Sequence, residues 1–245
     1  MDNKKIELFR NVIESSNYLV CITDRELKNE NGYPLIQDSD WAYEIEQKYG
    51  ASPEEIFNSS YYSNRKEQFF NFYRDEILSR ENKPNETYRA LAKLQERGIL
   101  KAVVTKSLYS LAKRAGCHNV IEMHGSIYTN YCSHCRKPYS IDYVRNSKKV
   151  PLCEKCKSVI RPGVFLYGEM MDNQIMTKAM EEVLKADVLM VLGGNLKSPT
   201  AGNCLRYFYG NKLLVIHKEP HFTDEKADLV INDEVRNVLP KIVGL

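Results

Sequence analysis

Hydrophobic positions along this chain alternate between a helical and a strand period, and that alternation predicts the architecture. Ile6, Phe9 and Ile13 recur at helical spacing, and the apolar run from Tyr18 to Ile22 follows as a short strand. Ser52-Pro53-Glu54-Glu55 is a capping box with proline at the first helical position. Phe69, Phe70, Tyr73 and Ile77 predict a further helix that ends before Pro84. Asn85 should cap a helix carrying Tyr88, Leu91 and Leu94 on one face, closed by Gly98. Next come a strand from Leu100 to Val104, a helix with Leu108, Leu111 and Ala115, and a strand from Val120 to Met123.

Beyond a cysteine-bearing insert the alternation resumes. Helices near Asn173 to Lys185 and Thr200 to Tyr209 feed strands at Asp187 to Leu192 and Lys212 to Ile216. The last strand is Leu229 to Ile231, and Asn232 is expected to cap a final helix bearing Val235, Val238, Leu239 and Ile242. Strands separated by helices predict an α/β fold: a doubly wound parallel sheet covered on both faces. Such a sheet binds ligands at the carboxyl ends of its strands. That rule selects four loops: Thr23 to Glu26, Thr105 to Ser107, Gly193 to Asn195 and His217 to Glu219. The loop after Ile22 runs to about Trp41, a length that suits a flap.

Composition narrows the class without changing the picture. In 245 residues, 43% are hydrophobic and 27% charged, which excludes disorder, collagen and coiled coil. A formal charge of +3 gives no global attraction to nucleic acid or to a membrane surface. The apolar stretch Val188 to Leu192 is far too short to span a bilayer. Charged residues interleave the apolar ones from Met1 to Val20, as in an amphipathic helix, so the expectation is a cytoplasmic protein.

Cys132-x-x-Cys135, seventeen residues, then Cys153-x-x-Cys156 has the spacing of two zinc knuckles. Four thiolates around one tetrahedral ion leave no open position, so the zinc should be structural. His134, inside the first knuckle, is not needed as a ligand. Cys21, Cys117 and Cys204 lie on core elements and read as small buried hydrophobes. Between Arg136 and Arg161 eight basic residues face only Asp142 and Glu154, with Tyr139 and Tyr143 among them. A solvated face that offsets the charge of the zinc site explains them better than a nucleic-acid footprint.

Around the knuckles stand Met123-His124-Gly125-Ser126 and Ile160-Arg161-Pro162-Gly163-Val164-Phe165-Leu166-Tyr167-Gly168-Glu169. This combination resembles the sirtuin family, in which His-Gly, four zinc cysteines and an R-P-x-V-V-x-F-G-E segment occur in this order. Lys83-Pro84-Asn85, Leu111 to Gly116, Val191 to Leu196 and Val238-Leu239-Pro240 look similar too, so the likeness spans essentially the whole chain. The resemblance implies a large Rossmann-like lobe (1–31, 86–126 and 164–245), a helical insert or flap (32–85) and a zinc module (127–163). It also implies NAD and an acyl-lysine peptide meeting in the cleft between lobes, with release of nicotinamide and transfer of the acyl group to ADP-ribose. His124 matches the family's base, a role for which histidine has the suitable pKa. Val164, Phe165, Tyr167, Gly168 and Glu169 match the segment that pairs with the substrate backbone.

The cofactor loops depart from the pattern. Where the family reads G-A-G-I-S and later S-G-I-P-D-F-R, this chain has Asp24-Arg25-Glu26-Leu27-Lys28 after Thr23, and then Asn31-Gly32-Tyr33-Pro34-Leu35-Ile36-Gln37, in which Gly32 and Pro34 fit. Both turn glycines are gone, and forcing other residues into left-handed geometry would cost roughly 1–2 kcal/mol each. T-Q-N-I-D becomes Thr105-Lys106-Ser107-Leu108-Tyr109; G-T-S becomes Gly193-Gly194-Asn195; and I-N becomes Ile216-His217. By resemblance, Thr23, Thr105, Ser107, Gly193, Gly194, Asn195 and His217 hold NAD. The expected activity is NAD-dependent lysine deacylation, weak or atypical, with two alternatives: a binding or scaffold protein of this fold, or an ADP-ribosyl transferase.

Overall fold

In a computed structural model, which describes residues 3–34, 36, 38–80 and 82–245, six parallel strands form the main sheet. They are β1 (Leu19–Thr23), β2 (Leu100–Thr105), β3 (Val120–Glu122), β7 (Val188–Leu192), β8 (Lys212–His217) and β9 (Leu229–Asn232), in the order β3-β2-β1-β7-β8-β9. Three strands between β3 and β7 in sequence form a separate antiparallel sheet: β4 (Gly125–Cys132), β5 (Pro138–Tyr139) and β6 (Ile160–Val164). The main sheet is apolar on both faces because helices cover both. Leu19 and Cys21 of β1 join one core with Phe9, Leu91 and Val238, while Val20 and Ile22 join a second core with Ala179 and Val183.

The helices follow their predicted stripes. On one side lie α1 (Asn3–Glu14), α7 (Glu86–Glu96) and α12 (Val235–Val243); α10 (Asn173–Lys185) and α11 (Pro199–Leu205) lie on the other. Asn85 accepts from the Thr87 amide, and Gly98 takes φ +73° after the last turn, so both ends of α7 form as the sequence implies. Four short helices, α3 (Ser39–Tyr49), α4 (Pro53–Ile56), α5 (Ser59–Asn64) and α6 (Lys66–Phe72), make up most of the insert, and α6 continues as a π-helical turn, Tyr73–Leu78. Its interior is aromatic: Phe69, Phe70, Phe72 and Tyr73 are all buried. Arg74 donates to the Ser147 hydroxyl and the Lys149 carbonyl, which ties the insert to the zinc module beside α9 (Ile141–Arg145).

Four local expectations are corrected. The long loop after Ile22 is not an open flap: it contains α2 (Arg25–Glu30), capped by Asp24, whose carboxylate accepts from the Arg25 amide. Asn232 ends β9 instead of capping α12. That helix begins at Val235, and the carboxylate of Glu30, 205 residues earlier, accepts from the Val235 and Arg236 amides. The helix expected near Thr200 to Tyr209 stops at Leu205. The one carrying Leu108 is a single turn, α8 (Leu111–Arg114), because Ser110 takes φ +49° ahead of it. Leu35 and Gln37 lie outside the described residues.

Strands β4 and β6 approach so closely that Gly163 has no room for a side chain. A Cβ there would sit 1.8 Å from the Thr129 carbonyl oxygen. Since a backbone atom cannot rotate away, Gly163→Ala should lower stability by about 1–3 kcal/mol, as overpacking does. A thermal melt unchanged from the parent would contradict this.

Candidate functional site

The strand order reverses at β1, which has β2 on one side and β7 on the other. The crevice beyond their carboxyl ends is where a sheet of this kind takes a dinucleotide. The structure brings the selected residues to this end of the sheet: Thr23, Thr105 and His217 end their strands, and Ser107, Gly193, Gly194 and Asn195 follow directly. Thr23, Thr105 and His217 are buried, and Ser107 and Asn195 half-buried. Their polar groups serve the loops themselves. Thr105 Oγ1 accepts from the Ser107 amide (3.1 Å), Ser107 Oγ from the Tyr109 amide (3.4 Å), and Asn195 Oδ1 from the Lys197 amide (3.0 Å). His217 Nε2 pairs with the Asp224 carboxylate.

The replaced turn carries no strain. Asp24 is extended, at φ −119° and ψ −170°, and Glu26 lies within α2; the expected left-handed penalty is therefore absent, because the loop is rebuilt around a helix. The Asp24 and Glu26 amides donate to the carbonyls of Leu192 (2.9 Å) and Gly193 (3.0 Å). Glu26 Oε2 accepts from the Lys218 amide (3.1 Å), joining the loops after β1 and β8. A Cβ at Gly193 would lie 2.2 Å from Leu27 Cδ1, and one at Gly194 2.6 Å from Asp24 Cβ. The two glycines therefore serve close approach of the chain's own side chains. Tyr33 and Tyr109, both buried, stack with ring centroids 3.7 Å apart and planes at 20°. Tyr109 stands where the resemblance places an aspartate, but nothing along the chain signals that it meets Tyr33.

These contacts decide whether the crevice fits NAD. Asp24 Oδ2 is buried with no hydrogen-bond partner, and the glycine surface that a pyrophosphate would need is covered by Leu27 and Asp24. In this arrangement the residues present do not fit the dinucleotide.

His124 follows β3, and its carbonyl accepts from the Phe165 amide (3.0 Å) just after β6. Burial, and then the positive charge of Lys106, push its pKa down to about 4, so the imidazole is neutral at ordinary pH. Burial also lowers Lys106, while Asp24 pulls it back up. Lys106 therefore links His124 electrostatically to the rebuilt loop. Val164, Phe165 and Glu169 line a cavity of about 640 Å³ with Gly125, Ser126 and Arg161. Beyond Val164 the segment is a turn: Glu169 accepts from the Leu166 amide (2.9 Å) and is ion-paired with Arg161. Tyr167 donates its amide to the Phe57 carbonyl and accepts at its own carbonyl from the Ser59 amide, so its backbone pairs with the insert. Its side chain is exposed, as is Gly168.

At the zinc knuckles the sulfurs of Cys132, Cys135, Cys153 and Cys156 all lie within 4.8 Å of one another. The separations Cys132–Cys156 (3.4 Å) and Cys135–Cys153 (3.6 Å) approach the roughly 3.8 Å between ligands of a tetrahedral ion with Zn–S near 2.3 Å. Arg136 and Lys157, each directly after a knuckle, take left-handed φ of 62° and 61°. Those turns aim the His134 and Cys135 amides at Cys132 Sγ (3.4 Å each), and Tyr139 donates to Cys153 Sγ (3.2 Å). Such donors favour thiolates, so the residues fit a structural zinc ion, with His134 outside the cluster.

A parallel sheet reversing at β1, a histidine after β3 and a four-cysteine module between β3 and β7 define a class. The Sir2 family model matches residues 33–199, and the chain belongs to that family. An NAD-dependent protein deacetylase of Clostridium perfringens is 37% identical over 244 residues, covering 99% of this chain and 100% of that protein. One from Clostridium acetobutylicum is 35% identical, with 98% of each covered. Among solved structures, Sir2Tm bound to a propionylated peptide is similar with a TM-score of 0.79 and 28% identity, covering 98% of both chains. A Sir2 complex with p53 peptide and NAD+ is similar with a TM-score of 0.81 and 28% identity, covering 98% of this chain and 97% of that one. Among the described residues no helix is long and apolar enough to cross a membrane.

Proposed function

We propose that this chain is a protein lysine deacylase of the Sir2 type, drawing on NAD as its relatives do and turning over slowly. One observation carries the reading: the His124 carbonyl holds the Phe165 amide, which makes base and substrate segment a single unit. The imidazole of His124 is neutral, the protonation state a general base requires, although its lowered pKa makes it a weaker base than an ordinary histidine. Val164, Phe165, Tyr167, Gly168 and Glu169 receive the acyl-lysine peptide; Val164, Phe165 and Glu169 border an open cavity with Gly125 and Ser126. The names of the relatives and the similar structures holding propionylated or acetylated peptides support this substrate class. Thr23, Thr105, Ser107, Gly193, Gly194, Asn195 and His217 form the cofactor side once the crevice opens. The lobes divide at 1–31, 86–126 and 164–245 against 32–85 and 127–163, and the protein works in the cytoplasm.

A second reading, an acyl-lysine binding protein without turnover, is favoured by the filled crevice. Incubation with acetyl- and propionyl-lysine peptides and NAD, followed by nicotinamide release, separates the two. The expected rate is low, because NAD has to displace Asp24 and Leu27 from Gly194 and Gly193 before it can bind. The variant Asp24→Gly/Glu26→Gly/Ser107→Asn should release nicotinamide faster. No peptide-dependent release from either protein would leave only the binding reading.

A further inference from the structure

We infer that the dinucleotide crevice of this chain is occupied at rest by its own side chains, so that NAD enters only when the loop after β1 withdraws. This deepens the deacylase reading and rests on it, since it assigns regulation to the same cleft. Three contacts carry it, two on the glycine loop after β7 and one between the segments that follow β1 and β2.

First, the Asp24 and Glu26 amides are spent on the Leu192 and Gly193 carbonyls, and the Asp24 carboxylate lies against Gly194, with Oδ2 buried and unpartnered. A pyrophosphate needs bare glycine backbone and free amides at this point. A carboxylate beside them repels it. Second, Leu27 presses on Gly193 so closely that not even a methyl group fits between them. Third, the buried Tyr33 and Tyr109 rings, on the segments that follow β1 and β2, stack at 3.7 Å, so the faces they turn to each other are closed to a flat heterocycle. The Tyr33 hydroxyl also donates to the Asn82 carbonyl (3.2 Å), anchoring that ring to the segment before α7. Glu26 closes the far side by accepting from Lys218 across the loop of β7. Because these contacts are mutual, NAD competes with an internal occupant, and its apparent affinity is divided by the fraction of open chains.

The test is calorimetric titration of the full chain with NAD and, separately, with ADP-ribose, on the parent, on Asp24→Gly and on Tyr33→Ala. The parent should bind both weakly, with Kd on the order of 1 mM or above. Asp24→Gly should tighten ADP-ribose by about tenfold or more, and Tyr33→Ala should tighten NAD more than ADP-ribose, because a vacated ring site accepts a stacked ring. Parent binding of NAD in the micromolar range overturns the inference, as does a folded pair of variants that bind no more tightly than the parent. If circular dichroism shows that a variant has not folded, the parent titration decides alone. Nicotinamide release with an acyl-lysine peptide keeps the two conclusions apart. Variants that gain NAD but release nothing uphold the filled crevice and refute the deacylase; a parent with tight NAD and fast release does the reverse.

Discussion

Cys132→Ser should abolish zinc binding and unfold the module between 127 and 163. The module has little else to hold it. Its sheet has three strands, one only two residues long, and its buried apolar side chains are few, Ile127, Val144 and Ile160 among them. Apparent zinc-binding free energies of about 10–16 kcal/mol are typical for four-ligand sites that form only on folding. Metal analysis should find one zinc per parent chain and far less in the variant. Melting should begin more than about 10 °C lower, since each kcal/mol lost shifts a domain of this size by about 2–4 °C. The damage should reach the site, because β6 leads into Phe165, whose amide the His124 carbonyl holds. Parent protein purified reduced and without zinc, or a Cys132→Ser melt that matches it, would refute the metal site.

His124→Ala should lower peptide deacylation by about 100- to 10,000-fold while leaving acyl-lysine peptide binding nearly intact, the pattern for loss of a general base. The pH profile is more particular. With its pKa near 4, the imidazole is neutral from pH 5 upward, so the rate should not fall between pH 7 and pH 6 as it would for an ordinary histidine. Stability carries the same signature. The folded state gives up its proton more readily than the unfolded chain, whose histidine titrates near 6.5. Unfolded protein therefore binds more protons between pH 6.5 and pH 4, and falling pH in that window should remove up to about 3 kcal/mol of stability. His124→Gln should flatten that part of the curve. A rate inflection near pH 6.5 in the parent would show that the ring is not shielded as described.

Where signals are local, the chain announces its structure. Asn85 and Gly98 bracket α7 because capping needs only the amide two residues on and a residue free to adopt positive φ. Cys21, Cys117 and Cys204 are buried as their places on apolar elements imply. The zinc cysteines are legible because two knuckles repeat one short turn. The errors have the opposite character. Asn232 has the right chemistry for a cap, yet Glu30 at the end of α2, far away in sequence, takes the role. Asp24 and Glu26 look like misplaced charges in a phosphate loop, but they are the cap of α2 and the partner of Lys218.

The sequence by itself determined the doubly wound sheet, the place of the crevice and the zinc cysteines through periodicity and short spacing, while only the resemblance to a known family singled out His124 after β3. Tertiary structure alone decided what stands in the crevice. Tyr33 meets Tyr109 and Leu27 covers Gly193 because the sheet brings together loops separated by many residues, and no local pattern encodes which side chains fill the space between them. The same holds for the His124 carbonyl and the Phe165 amide, joined across the whole zinc module. Caps and periods are fixed by neighbours along the chain; occupancy of a shared space depends on three-dimensional packing, where one stacked ring or one carboxylate against a glycine excludes every other occupant.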